Sequence, residues 1–314
     1  MEKVLVIVED TNLYFFPGFK SDTVDFCQLF ARKTHKPFNG VKKLLPSIAR
    51  LNYGDWKNRL EDIDRIVLLD TPALQDKTLV SYIRGRCRAL PIDIYSWNMN
   101  LLPAEVSLLK KQAEKYSCGL FSYDEAFCER NGFKFNTIMF DERCKCPRVQ
   151  RKSDVVFLGY SKDRSGTVAN AADLLSSAGL KLDFTVVGSA PSGVKNANIT
   201  YVEGYIPYRE YLNRVFGSKA IVDVAQHGQL GYSMRVMESV FYDKKLITTN
   251  AHVADAPFFE YGNVLVLDAG TTPSEVQKFM AKPQMPYGDE IRRHYSVEAW
   301  ADRFSKRTDG NINA

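Results

Sequence analysis

Chemistry concentrates in the run from Asp223 to Glu238. A β-rich stretch ends at Asp223, a loop carries Gln226, His227, Gly231 and Tyr232, and a helical stretch opens near Ser233. The free N–H groups at the start of such a helix, with its positive dipole end, suit a diphosphate. Arg235 stands in the first turn. Glu238 lies one turn further on, where a carboxylate can accept hydrogen bonds from ribose hydroxyls. The same residues also have plain structural roles: Ser233 as an N-cap, Glu238 as a helix-stabilising carboxylate and His227 as a loop histidine. A second loop has the same form. Val155–Leu158 runs into Gly159, then Lys162, Arg164 and Gly166, then a helix. The glycine permits a tight turn and the two cations could reach a phosphate, or the segment is a strand–helix turn with solvated charges. Gly188 closes another strand, and Gly204-Tyr205-Ile206-Pro207 precedes another helix, with Tyr205 placed to stack on a base or to close the turn.

The first half presents polar residues after successive strands. Glu9, Asp10 and Asn12 follow the first, Asp70-Thr71-Pro72 the second, Trp97-Asn98 the third and Tyr123-Asp124 the fourth. Ligands of open α/β sheets bind beyond the carboxyl ends of the strands. Asp, Asn and Thr-Pro are also good turn and cap residues, and Asp70 and Asp124 read as caps. Asp10 takes the deepest position, before the aromatic loop from Asn12 to Phe19. No G-x-G-x-x-G is present, which argues against a nicotinamide dinucleotide.

The elements that must position these residues follow from periodicity. Eleven β-rich runs, several of them continuous Val/Ile/Leu, alternate with stretches of helical spacing: Ser107–Tyr116, Val168–Ala178, Tyr208–Phe216, Met234–Tyr242 and Pro273–Met280. Continuous apolar strands are buried on both faces of a parallel sheet. Repeated β-α-β order predicts an α/β fold with two Rossmann-like doubly wound domains. The charged, proline-containing stretch 141–152 reads as a linker between them. The expected division is an acceptor domain over 1–145, a nucleotide domain over 153–285, a helix over 286–305 returning to the first domain, and a disordered tail over 306–314.

The chain has 314 residues, 45% hydrophobic and 25% charged, with a net charge of +5 held mostly in the first 150 residues. That composition is globular and excludes coiled coil and collagen. No apolar run approaches the roughly 20 residues of a membrane-spanning helix. The N-terminal apolar run is too short for a signal-peptide core, so a cytoplasmic location is expected. Basic clusters such as Arg84-Gly85-Arg86-Cys87-Arg88 fit solvated helix faces, or loose contact with an acidic membrane surface or a phosphorylated acceptor. Nucleic acid is not an expected partner, because the clusters lack aromatic interleaving. The six cysteines read as free thiols of a reducing compartment; only Cys144 and Cys146 stand close, and with no second pair at zinc-ribbon spacing a zinc site from these two and two others is the minor alternative.

The segment through Asp223, Gln226, Gly231, Ser233, Arg235 and Glu238 to Lys244–Asn250 resembles the donor-site signature of GT-B glycosyltransferases, with its G-x-S-x-R-x-x-E-like opening of a helix under the nucleotide-sugar. The nearest group is that of bacterial surface-polysaccharide and lipopolysaccharide enzymes, with CgeB-like relatives. Phe157-Leu158-Gly159 and Gly204-Tyr205-Ile206-Pro207 also resemble that group. The resemblance implies a Leloir-type transfer of sugar from a nucleotide-sugar to a glycan, lipid-linked or small-molecule acceptor, in a cleft between two domains, without a metal or other cofactor. The implied donor residues are Gly159, Lys162, Arg164, Gly188, Gly204, Tyr205, Gln226, Gly231, Tyr232, Ser233, Arg235 and Glu238. Asn12, Asp70, Trp97, Asn98 and Asp124 would face the acceptor, with Asp10 as general base. Many retaining members carry a further glutamate where this chain has Leu230, beside Gln229. Its absence leaves open a non-catalytic sugar-nucleotide-binding scaffold. A nucleotide-sugar epimerase or polyol-phosphate transferase of the same architecture is the other alternative.

Overall fold

A computed structural model describes residues 2–9, 16, 19–31, 50–141, 150, 152–160, 164–190 and 196–306. Asp10, Asn12, Lys162, Cys144, Cys146, most of the expected linker and the tail beyond 306 lie outside the described residues. The chain divides into two compact units: Met1–Thr137 with Ser296–Ala314, and Ile138–Tyr295.

Unit 1 is built on β1 (Val4–Val8), β2 (Val24–Gln28), β3 (Arg65–Leu69), β4 (Ile92–Ser96), β5 (Gly119–Ser122) and β6 (Lys134–Phe135). They form one sheet in the order β2-β1-β3-β4-β5-β6, and every neighbouring pair is parallel. All five residues of β1 and of β3 are buried, as the apolar runs Val4–Val8 and Ile66–Leu69 require of strands covered on both faces. The helices are α1 (Asp70–Gln75), α2 (Leu79–Arg86), α3 (Pro103–Tyr116) and α4 (Glu125–Asn131).

Unit 2 is built on β7 (Val155–Tyr160), β8 (Leu182–Val187), β9 (Thr200–Val202), β10 (Ala220–Asp223), β11 (Lys245–Thr248) and β12 (Val264–Val266). Their order is β12-β11-β10-β7-β8-β9, again all parallel. The helices are α5 (Ser165–Ser177), α6 (Tyr208–Phe216), α7 (Met234–Phe241), α8 (Pro273–Ala281) and α9 (Asp289–Tyr295). A last helix, α10 (Val297–Lys306), packs on unit 1, where Trp300 and Phe304 meet Tyr95 and Phe121 edge-on at 5.1 and 4.8 Å.

Each unit has its own core. In unit 1 it joins Leu5, Ile7, Trp56, Leu68, Ile94 and Leu109, and in unit 2 Val155, Phe157, Ala172, Leu175, Val222 and Val276. Each sheet also reverses direction once. In unit 1 the chain leaves β1 toward β2 and returns on the other side at β3. In unit 2 it leaves β7 toward β8 and returns at β10. The strand ends beside these reversals, β1/β3 and β7/β10, are the places where such sheets leave a crevice for a ligand. Among the described residues, no helix is long and apolar enough to cross a membrane.

Candidate functional site

At the β7/β10 reversal the carboxyl end of β10 is Asp223, 1% exposed. Its Oδ1 accepts from Ser233 Oγ at 2.7 Å and from Arg235 Nε at 3.1 Å, and its Oδ2 from Thr248 Oγ1 at 3.0 Å. Three elements, β10, β11 and the start of α7, are thus tied at one carboxylate. Arg235 also donates to the carbonyl of Leu158 at 3.3 Å and lies 5.5 Å above the Phe157 ring, which extends the tie to β7. Arg164, also buried, donates to the carbonyls of Val224 and, at 3.3 Å, of Tyr160.

Gly159 sits between these two arginines. A Cβ there would stand 3.3 Å from one Arg164 Nη2 and 3.5 Å from Arg235 Nη1. A side chain there would press lightly on Arg164 and only touch Arg235. This is a packing role for a glycine whose sequence position suggested only a tight turn.

The loop between β10 and α7 is braced from within. Gln229 Oε1 accepts from the Gln226 amide and its Nε2 donates to the Gly231 carbonyl at 3.0 Å. Asn250 Nδ2 reaches the Leu230 carbonyl at 3.1 Å, and Thr249 Oγ1 accepts from the Ala225 amide. Tyr232 packs edge-on against Phe258 at 5.6 Å. The brace ends at Ser233, which holds the N-cap position of α7. Its hydroxyl is turned to Asp223, and no side chain caps the helix. The opening turn of α7 therefore keeps amides available for an anion beyond the carboxyl edge of the sheet.

The other expected donor residues are distributed unevenly. Gly188 (φ +121) and Gly204 (φ +93) both take left-handed backbone at the ends of β8 and β9, a conformation that favours glycine. Tyr205 is 69% exposed beside that turn. Glu238 is not at the edge of the crevice. It is 1% exposed, and its two oxygens accept from Tyr208 at 2.8 Å and Tyr211 at 2.5 Å. Burial pushes its carboxyl up to about 7, against the opposing pull of the two phenols and Arg235.

In unit 1, Asp124 is the N-cap of α4 and accepts from the Phe127 amide at 2.7 Å. Asp70 stands at the carboxyl end of β3, beside the β1/β3 reversal. It accepts from the amides of Thr71 and Asn98 at 2.9 and 3.0 Å, and from Ser96 Oγ at 3.3 Å. Burial raises its carboxyl to about 6. Trp97, half-buried, lies among Phe16, Tyr95 and Tyr123, with ring centroids near 6 Å. Asn98 is exposed, and its side chain accepts from the Asn100 amide. The structure thus gathers Asp70, Trp97 and Asn98 on the carboxyl rim of this sheet. Thr248, Thr249 and Asn250 lie within the segment that carries the sequence resemblance, and Gln229 in its loop, but their bracing roles were not assigned from the sequence.

One Asp-x-Asp, Asp62-Ile63-Asp64, is present in the chain. It precedes β3 at the amino end of the sheet, where Asp64 accepts from the Lys3 amide at 2.8 Å. That places it at the opposite edge from the crevice. Among the described residues, no three His, Cys, Asp or Glu side chains gather as metal ligands.

No family model and no curated protein matches the chain. Solved structures do. AviGT4, a glycosyltransferase involved in avilamycin A biosynthesis, superposes with a TM-score of 0.53 at 15% identity, covering 98% of this chain and 97% of that one. A UDP-forming α,α-trehalose-phosphate synthase from Burkholderia xenovorans, in complex with glucose-6-phosphate, gives 0.53 at 11% identity, with 98% and 100% covered. The fold is GT-B. Two Rossmann-like units, each with a six-stranded parallel sheet, are the architecture of this class. OtsA without ligand gives 0.50 at 13% identity over 99% of this chain.

Proposed function

We propose that this GT-B chain is a Leloir-type glycosyltransferase whose nucleotide-sugar donor is held by unit 2. The observation that carries the reading is the Asp223 tie. Ser233, Arg235 and Thr248 converge on one buried carboxylate, and the Ser233 hydroxyl is thereby diverted from capping α7. Leaving-group charge on the diphosphate would be met by the first-turn amides of α7 and by fixed dipoles in a preorganised site. Arg235 and Arg164 support that edge from below, and Lys162 belongs to the same loop. The reading calls for no metal. The acceptor, a glycan, a lipid-linked sugar or a small molecule, would meet the rim of unit 1 at Trp97 and Asn98, with the buried Asp70 holding the Asn98 amide from beneath. The role in surface-polysaccharide or lipopolysaccharide synthesis, on the cytoplasmic side and in peripheral contact with an anionic membrane, rests on the sequence resemblance and the basic clusters.

Thermal unfolding with uridine, guanosine, cytidine and thymidine diphosphates tests the donor site. At about 100 times its dissociation constant, a bound nucleotide should stabilise the chain by roughly 2.7 kcal/mol. No stabilisation by any of the four would remove the reading. Leu230, at the place of the glutamate that many retaining enzymes carry, favours a second reading, a non-catalytic nucleotide-sugar-binding protein. Hydrolysis or transfer from a panel of nucleotide-sugars separates the two: nucleotide binding without turnover would favour the scaffold.

A further inference from the structure

Glu238, Tyr208 and Tyr211 form a buried polar cluster that joins α6 to α7. The two tyrosines lie in the first turns of α6, with their rings stacked at 5.9 Å. α6 begins directly after Gly204-Tyr205-Ile206-Pro207, the loop that carries the exposed Tyr205. Glu238 belongs to α7, whose opening turn faces the crevice. A ribose diol that sought this carboxylate would have to displace two phenols from a site water does not reach. Buried carboxylates left short of partners are costly, so the three side chains are held together by strong mutual need.

We infer that Tyr208, Tyr211 and Glu238 act as a clamp that fixes the Tyr205 loop relative to the opening turn of α7, so that Glu238 is a positioning residue for the nucleotide and not a ligand of its ribose. The inference rests on the donor-site reading above. The charged and titratable groups facing Glu238 are Tyr208 and Tyr211 of α6, Arg235 of α7 and Asp223 of β10. Protonation turns one acceptor oxygen of the carboxyl into a donor that a phenol oxygen can accept from, so the three side chains stay joined in either protonation state.

The test is calorimetric titration of the full chain and of Tyr211→Phe, Glu238→Gln and the double variant. The probes are whichever of the four nucleoside diphosphates binds the parent best, and its 2′,3′-dideoxy counterpart. Thermal unfolding confirms that each variant is folded, and Tyr208→Phe replaces any that is not. Each single variant should bind about ten-fold more weakly, as loss of a hydrogen bond to a charged group predicts. The loss should be the same for the ribose and dideoxy forms, and the double variant should be no weaker than either single one. A loss in Glu238→Gln confined to the ribose form would overturn the clamp in favour of direct ribose contact. Unchanged affinity in both single variants, with the parent binding normally, would also overturn it. A parent that binds none of the four nucleotides removes the donor-site reading itself, and the clamp with it.

Discussion

Asp70 and Glu238 are carboxylates that water barely reaches, and burial raises both, to about 6 and about 7 from ordinary values of 3.8 and 4.5. A carboxyl raised on folding binds more protons in the folded than in the unfolded state between those limits. Its contribution to stability is therefore present below the ordinary value and is lost as pH rises through the raised one. Glu238→Gln removes that slope for one group. Relative to the parent, the variant should gain on the order of 3 kcal/mol between pH 4.5 and 7.5, read by denaturant unfolding at the two pH values. Parallel stability profiles would show that Glu238 is not the group that titrates. Asp70→Asn should flatten the lower part of the same range. Asp10 calls for a different measurement. It follows β1 by two residues in the sequence, and β1 borders the reversal point of the first sheet. If it takes the acceptor proton, Asp10→Asn should lower turnover about 100-fold or more while nucleotide affinity survives. If it only holds its loop, stability should fall and turnover of the remaining folded enzyme should stay near the parent's.

The elements show why some of this was legible and some was not. Strands buried on both faces announce themselves, and β1, β3, β7 and β10 stand within a residue or two of the continuous apolar runs that predict them. β2 was missed because it is an edge strand that pairs only with β1 and carries Asp25 and Gln28. An edge strand has one partner and tolerates polar residues. Asp70, expected as a cap, is instead the first residue of α1, whose N-cap is Leu69 without a side-chain cap; Pro72 is acceptable within that first helical turn. α4 carries clear signals in its Asp124 cap and its left-handed Gly132 at φ 65, but only seven residues lie between them. β6 stops at Phe135, although the β-rich pattern of the sequence runs on to Phe140. There the Asn136 side chain turns to the Trp300 carbonyl and to Arg303, partners that lie over 160 positions away in sequence. The single helix expected over 286–305 is two helices, α9 and α10, broken at Ser296. In the candidate site, the strand–glycine–helix order was legible because it is local. The Asp223 tie and the tyrosine partners of Glu238 were not, because they join residues brought together only by the parallel crossovers.

At the scale of the whole molecule, the two units differ in how the chain supplies them. Unit 2 is one continuous stretch, 138–295, whereas unit 1 is completed by residues that follow it. The contribution of α10 is substantial. Trp300 and Phe304 are fully buried, Arg303 donates to Asn136 Oδ1 at 2.9 Å, and the Trp300 carbonyl accepts from Asn136 Nδ2. Removing α10 uncovers Tyr95 and Phe121 on the sheet of unit 1, and truncating even one large buried aromatic costs about 3–5 kcal/mol. Stabilities of whole domains are about 5–15 kcal/mol, so unit 1 without its returning helix should be marginal or unfolded. The residues proposed for the donor, by contrast, all lie within the continuous stretch. An isolated 138–295 fragment should unfold cooperatively and show the same nucleotide-induced stabilisation as the full chain. A 1–137 fragment should lack cooperative unfolding unless residues 296–306 are joined to its end through a flexible linker. Circular dichroism melts of the three fragments, with and without the nucleotide that stabilises the parent, decide the matter. A 1–137 fragment as stable as its α10-linked form would show that the returning helix is dispensable, and a folded 138–295 fragment that ignores the nucleotide would show that the donor site needs residues outside unit 2.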